Sequence, residues 1–347
     1  MRLNNIYQIR KILSNLSLSD SEKLSHMKSI CDDYEKIEIP EEDKYAKKLS
    51  DWISLSDKES DFLKNKAIPT GFADLDKMIG GLGESELIII GARPAMGKLL
   101  LASQIALSIS TQHPVLFYSF EEDGTTFHKR MLRTFCRISS FDSSCEIDDD
   151  IMRQKSKELT NRQLYISDSA YYRLFPYFKE QLKQEILEHQ IKVVIIDSIQ
   201  FMALERNYAR NKDLELAIIM SSLRQIAREQ KISIVLLSPI NKCAKFRLLT
   251  DTTPTLEDLR ESGLLDNYAD KVILMHRPEY YKEYVDGNGN DLTSVLKLLI
   301  EKNNVGETGC VDLHFSNYIL RNLKENILAE FSSNSEILIE HEDNLPF

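Results

Sequence analysis

The sequence predicts an α/β protein, a mostly parallel sheet flanked by helices and preceded by a short all-helical N-terminal arm. Three observations predict it. From Pro69 onward, short β-branched runs alternate with longer helical stretches. Apolar strands separated by helices make a largely parallel sheet covered on both faces. One such run, Ile88-Ile89-Ile90, passes into a tight loop and a helix start. Upstream, residues 1–65 contain no Gly and, apart from Pro40, no Pro. That is the composition of helices rather than strands and turns.

Taken in order, Ile6, Ile9, Leu13 and Leu16 follow helical spacing. Ser19-Asp20-Ser21-Glu22 is a capping box opening a second helix. A third helix is expected over about 41–64, with Tyr45, Leu49, Trp52 and Ile53 on one face. The strands are expected at Leu87–Ile90, Val115–Tyr118, Val193–Ile196, Ile232–Leu237, Val272–Met275, Leu296–Ile300 and Val311–Phe315. The stretch from Ser332 to Phe347 is polar and acidic and reads as a tail. The expected organisation is therefore an arm (1–65), a sheet-based domain (66–330) and a tail (331–347).

Composition bounds the rest. With 347 residues, 42% of them hydrophobic, the chain can bury a substantial core. No apolar run approaches the ~20 residues of a membrane span, so no membrane partner is expected, and the polar start does not read as a secretory signal. The five cysteines are scattered without a C-x-x-C pair, which points to free thiols and a cytoplasmic setting. A net charge of −10 argues against a broadly basic DNA-coating protein but leaves room for a narrow basic channel.

Chemistry concentrates in three places. Gly91-Ala92-Arg93-Pro94-Ala95-Met96-Gly97-Lys98-Leu99 follows the apolar strand and has the layout of a Walker A loop, with Ala92 in the first small position. The backbone N–H groups of such a loop and of the helix behind it cradle phosphate oxygens, and Lys98 would reach the β/γ-phosphates. The next position normally carries a Ser or Thr hydroxyl for Mg²⁺; here it is Leu99, which has no oxygen to offer. The strand Val193-Val194-Ile195-Ile196 ends in Asp197, a Walker B pattern whose carboxylate can hold Mg²⁺ directly or through water. The plain alternative is an Asp that caps the strand end. Glu121 stands just past Val115–Tyr118, where a carboxylate can polarise an attacking water; on its own it also reads as a surface charge.

Together these pieces resemble the RecA-fold motor domain of replicative DnaB-type helicases. The resemblance runs from about residue 68 to 323 and rests on several ordered segments. They are Pro69-Thr70-Gly71-Phe72-Ala73-Asp74-Leu75-Asp76, the loop just described, Phe120-Glu121 and Ile196-Asp197-Ser198-Ile199-Gln200-Phe201-Met202. Leu237-Ser238-Pro239-Ile240-Asn241-Lys242, Asp258-Leu259-Arg260-Glu261-Ser262-Gly263, Arg277-Pro278-Glu279-Tyr280-Tyr281, and Lys302 with Gly306 and Gly309 complete the set. The resemblance implies a homo-hexameric ring that encircles single-stranded DNA and binds ATP and Mg²⁺ between subunits. It implies that Lys98 binds phosphate, Glu121 is the catalytic carboxylate and Asp197 serves the metal. It further implies that Arg260, Glu261 and Gly263 belong to a loop gripping the DNA backbone, and that Lys302 and Asn304 face the neighbour's ATP. Without the family, Arg260 and Glu261 read as a solvated ion pair.

The chain departs from that family at three positions of one reaction. Leu99 is the first. Aligned without gaps to the family's K-x-R-N-G pattern, Lys302 is kept while Asn304 stands in place of the arginine finger. Pro239 stands where the family usually has a Gln. Such a finger is worth ~10³–10⁵ in rate, and an uncharged Asn does not replace it. The expectation is a motor that binds nucleotide and hydrolyses it poorly, holding Mg²⁺ weakly through Asp197. The alternative is a catalytically defective paralogue that regulates or loads a helicase. The arm leaves room for a linker helix but little of the family's larger helical collar, which puts the primase-docking surface in doubt. At the other end, Glu342-Asp343-Asn344-Leu345-Pro346-Phe347 resembles the acidic tip of bacterial single-stranded-DNA-binding proteins. That likeness implies docking to other replication proteins through Leu345, Pro346 and Phe347, against the plain reading of a soluble tail.

Overall fold

The chain divides between Asn65 and Lys66. The computed structural model describes residues 67–136, 149–168, 174–204, 212–240, 252–260, 265–316 and 319–323. The expected arm helices, loop residues Glu261 and Gly263, and the tail with Leu345–Phe347 lie outside the described residues. For Arg260 the backbone alone is described.

The strands are β1 (Leu87–Ala92), β2 (Val115–Ser119), β3 (Leu164–Ser167), β4 (Val193–Asp197), β5 (Ser233–Pro239), β6 (Lys271–His276), β7 (Val295–Asn303), β8 (Gly309–Ser316) and β9 (Ile319–Asn322). The helices are α1 (Ala73–Ile79), α2 (Lys98–Ile109), α3 (Gly124–Cys136), α4 (Asp149–Thr160), α5 (Phe175–His189), α6 (Lys212–Gln230), α7 (Leu256–Arg260) and α8 (Leu265–Tyr268). All strands join one sheet in the order β3-β2-β4-β5-β1-β6-β7-β8-β9. From β3 to β6 it is parallel, and β7, β8 and β9 extend it antiparallel.

Strand periodicity sorts the core into two layers. Ile88 and Ile90, Val193 and Ile195, and Ile273 and Met275 point to one face, where α1, α2 and α3 supply Leu75, Leu101, Ile105 and Phe127. Their alternates Leu87 and Ile89, Val194 and Ile196, and Val272 and Leu274 point to the other, against Phe178 and Leu182 of α5 and Leu223 of α6. A strand apolar at every position is the mark of a sheet buried on both sides. In β7 and β8 burial alternates instead, as in a strand with one wetter face.

All seven expected strands are present, and two more, β3 and β9, escaped sequence reading. Each is only four residues long, too short for a period-2 pattern to stand out. Both form the outer edges of the sheet, where pairing with a single neighbour fixes them more than their own composition does.

One polar cluster locks the N-terminal edge of the parallel strands. Asp270 accepts the Leu87 backbone N–H at 3.0 Å and pairs with Arg224 at 2.7 Å. It also accepts the Asn304 side-chain amide at 3.1 Å. Asp270→Ala leaves these donors without their acceptor and is expected to lower stability by about 1–3 kcal/mol. The check is a urea midpoint shift with an unchanged slope.

Candidate functional site

The loop between β1 and α2 is an open cradle. Ala95 and Gly97 both adopt left-handed backbone, at φ 66° and 92°. This coils Arg93-Pro94-Ala95-Met96 tightly, with the Met96 N–H reaching the Arg93 carbonyl at 3.3 Å. Glycine takes such a φ without strain, whereas Ala95 holds it at a penalty that a loop shaped around a ligand sustains. Gly97 is the N-cap of α2; no side chain caps the helix, and its first turn carries no acid. The first N–H groups of a helix have no partner within it and carry the positive end of its dipole. An anion satisfies both conditions at once.

Lys98 and Asp197 meet at the C-terminal edge of the sheet. The Lys98 Nζ lies 3.3 Å from Asp197 Oδ1, and Asp197 is only 1% exposed. Neither Asp197 oxygen has a well-aligned hydrogen-bond partner among the described residues. Burial pushes the carboxyl above its ordinary value; Lys98 pulls it back down, and the charge of Glu121 raises it again. Paired strands bring Glu121 there, since Ser119 of β2 lies opposite Asp197 of β4 and the Phe120 N–H binds the Asp197 carbonyl at 2.7 Å. Glu121 itself is exposed. Its neighbour Glu122 is taken up by Arg130.

A buried carboxylate with unsatisfied oxygens fits one ligand of a hydrated Mg²⁺, an ion that keeps several waters and binds through one or two carboxylates plus phosphates. Leu99 contributes none of this. Its side chain is half-buried and packs against the apolar core beside Leu100. Among the described residues no group of three or more His, Cys, Asp or Glu could hold a metal on its own, so phosphates and waters would have to supply the remaining ligands.

Ala92 and Met96 are buried under the loop, while Pro94 and Ala95 are exposed. Arg93, expected to line the phosphate pocket, turns its side chain away. Its guanidinium donates to the Thr252 carbonyl at 2.6 Å and to the Tyr281 hydroxyl at 3.2 Å. Sequence reasoning gave no sign of this, although Tyr281 lies in a motif that it picked out. It quoted Gln200 only as part of the Ile196–Met202 segment and gave it no contact. The Ser198 hydroxyl donates to the Gln200 carbonyl oxygen at 2.7 Å, and the Gln200 amide donates to the Ser238 hydroxyl at 2.9 Å. That bridge ties the segment after Asp197 to the end of β5, beside Pro239.

Lys302 and Asn304 are not brought to this edge. Lys302 pairs with Val272, which pairs with Ile89, three residues or ~10 Å of strand short of Ala92. Lys302 Nζ donates to the Asp266 carbonyl at 2.9 Å, and Asn304 is held by Asp270. Both lie towards the opposite end of the strands from Lys98.

A doubly covered, mostly parallel sheet with a cradle after β1 and a carboxylate at the end of β4 defines a RecA-like P-loop nucleotide-binding fold. Residues 67–322 match the DnaB-like helicase C terminal domain, and the chain belongs to that family. It is 32% identical over 260 residues to the replicative DNA helicase DnaB of Buchnera aphidicola subsp. Baizongia pistaciae, covering 72% of this chain and 54% of that protein. With the DnaB of Geobacillus stearothermophilus it shares 29% over 254 residues, at the same coverage of both chains. The chain thus spans about half the length of the curated relatives it matches. The solved ATPase domain of G40P superposes with a TM-score of 0.69 at 24% identity, over 80% of this chain and 100% of that one. This likeness carries the fold. No helix among the described residues is long and apolar enough to cross a membrane.

Proposed function

We propose that this chain is a DnaB-like motor subunit that binds ATP between the members of a homo-hexameric ring around single-stranded DNA and hydrolyses it slowly. The observation that carries the reading is the Lys98–Asp197 pair at 3.3 Å, set beside an uncapped helix N-terminus and followed by the half-buried apolar side chain of Leu99. The backbone N–H groups at residues 95–99 bind the β- and γ-phosphates, and Lys98 turns from Asp197 to the phosphate when nucleotide arrives. Glu121, exposed and next to Asp197, orients the attacking water and accepts its proton. Asp197 is the residue of this chain that would hold a Mg²⁺ ion, which would neutralise charge on the phosphates.

The position of Lys302 and Asn304 at the far end of the strands supports a role towards a neighbouring subunit's nucleotide rather than their own. Arg260, Glu261 and Gly263 are assigned to the DNA backbone on family likeness. Repeated around a ring, one cation per subunit with backbone N–H groups grips phosphates without sequence preference, which reconciles DNA binding with a net charge of −10. A second reading, a regulatory or loading protein for a helicase, is favoured by two observations. Leu99 packs into the core, and the Asn304 amide is engaged by Asp270.

Titration of a fluorescent ATP analogue tests the common part of both readings. Wild type is expected to bind it, and Lys98→Ala to bind at least about 10-fold more weakly, a loss of ~1.4 kcal/mol. Equal affinity in the two proteins would remove the loop from the nucleotide site.

A further inference from the structure

We infer that Arg93 is a positioning residue that couples the occupancy of the phosphate loop to the orientation of α7, the helix that ends in Arg260. This rests on the proposed nucleotide- and DNA-binding reading and adds to it the device that joins the two sites.

Arg93 is 6% exposed and sits within the loop itself, yet the described contacts of its guanidinium lie elsewhere. Nη1 donates to the Thr252 carbonyl at 2.6 Å and to the Tyr281 hydroxyl at 3.2 Å. The guanidinium carbon stands 5.7 Å from the centre of the Tyr281 ring. Nη2 lies 3.9 Å from Asp258 Oδ2. That same oxygen accepts the Thr255 backbone N–H at 2.8 Å, at the start of α7. A displacement of Arg93 is therefore felt directly at the first turn of α7, and five residues of helix (Leu256–Arg260) carry it as a rigid step of roughly 7 Å to Arg260.

The cluster is built with slack. Nε and Nη2 of Arg93 are buried and have no hydrogen-bond partner among the described residues. Buried, unsatisfied donors on a charged group are costly. A shift of about 1 Å would bring Nη2 from 3.9 Å into the 2.7–2.9 Å range of a charge-assisted bond with Asp258. The fork of Arg93 thus stands about 1 Å short of an arrangement closed on Asp258. Arg93 lies in the loop that phosphate would occupy, so ligand in the cradle biases the position of its fork. The neighbours hold the other side of the cluster firm. The Thr252 hydroxyl donates to Glu283 at 2.7 Å, and the His276 ring stacks on Tyr281 with centroids 5.7 Å apart.

The experiment measures affinity for fluorescent oligo-dT with and without a non-hydrolysable ATP analogue, using the full chain. The nucleotide is expected to change wild-type DNA affinity by about 5-fold or more. Asp258→Asn keeps an oxygen for the Thr255 N–H but removes the charge, and Tyr281→Phe keeps the ring but removes the hydroxyl. The double variant is expected to bind oligo-dT alone and analogue alone as wild type does, with the coupling reduced to less than about 2-fold. Arg93→Lys, which keeps the charge and loses the fork, is expected to lower the coupling as well. Coupling of wild-type size in both variants would overturn the inference and leave the proposed function standing. Absence of binding to either ligand by folded wild type would overturn the proposed function, and the inference with it.

Discussion

Leu99→Thr combined with Asn304→Arg is expected to raise DNA-stimulated ATP turnover by about 10³-fold or more, some 4 kcal/mol of barrier. The two changes repair different parts of one transition state. A Thr at 99 puts a hydroxyl in the first turn of α2, the position from which a P-loop Ser or Thr normally contacts the metal. The side chain it replaces is half-buried, so losing its apolar contacts carries a modest stability penalty. An Arg at 304 places a charged fork at the end of β7, towards the opposite edge of the sheet from the chain's own Lys98. In the proposed ring that position would serve a neighbour's phosphate rather than the chain's own. Either change alone is expected to recover far less, because groups acting on one transition state are not additive. The measurement is phosphate release with and without oligo-dT. A double revertant no faster than wild type would mean that these positions are not where the motor is weakened.

The second large effect is expected from Asp197→Asn, and it has opposite signs for stability and for chemistry. Burial raises the Asp197 carboxyl above its ordinary value of 3.8, and Glu121 adds to the rise while Lys98 opposes it. A carboxyl raised in the folded state binds its proton more tightly there than in the unfolded chain. Stability from this group is therefore full at pH below the ordinary value and is lost as pH climbs from there through the raised one. At neutral pH the buried, ionised carboxylate is a standing penalty that its Lys98 partner at 3.3 Å offsets only in part. Asn removes the charge, and Lys98, partly exposed, can turn to water. Thermal unfolding of ligand-free protein at pH 7 should rise by about 2–4 °C, for a gain on the order of 1 kcal/mol. At pH 3 the advantage should vanish. The turnover of the double revertant should meanwhile fall at least about 10²-fold when Asp197 is also replaced. A variant less stable than its parent at pH 7 would show that the Lys98–Asp197 pair stabilises the fold.

Much of this was legible in the sequence, for physical reasons that differ by element. The parallel strands announced themselves because a sheet buried on both faces needs unbroken apolar runs, rich here in β-branched residues, as in Ile88–Ile90 of β1 and Val193–Ile196 of β4. The edge strands β3 and β9 did not, since four residues give too short a pattern. Lys98, Asp197 and Glu121 could be placed because each lies at or a few residues past the C-terminal end of a strand, and parallel pairing then carries all three to one edge of the sheet. Arg93 could not be placed. Its position in the loop predicted a phosphate contact, whereas its partners Thr252, Asp258 and Tyr281 lie 159 to 188 residues away in the chain, a distance over which no local pattern reports. The bridge from Ser198 through Gln200 to Ser238 was hidden in the same way. The separation of Lys302 and Asn304 from the chain's own loop likewise follows only from the antiparallel turn of β7.

The central claim is that this chain holds ATP at a complete cradle and fails at the chemical step. Steady-state phosphate release by the wild-type protein, at ATP and oligo-dT concentrations shown by titration to saturate it, tests that most directly. The account predicts binding together with turnover below about 0.1 s⁻¹, well under the 1–10³ s⁻¹ of ordinary enzymes. DNA-stimulated turnover above about 1 s⁻¹ would contradict it and make Leu99 and Asn304 features of a working motor.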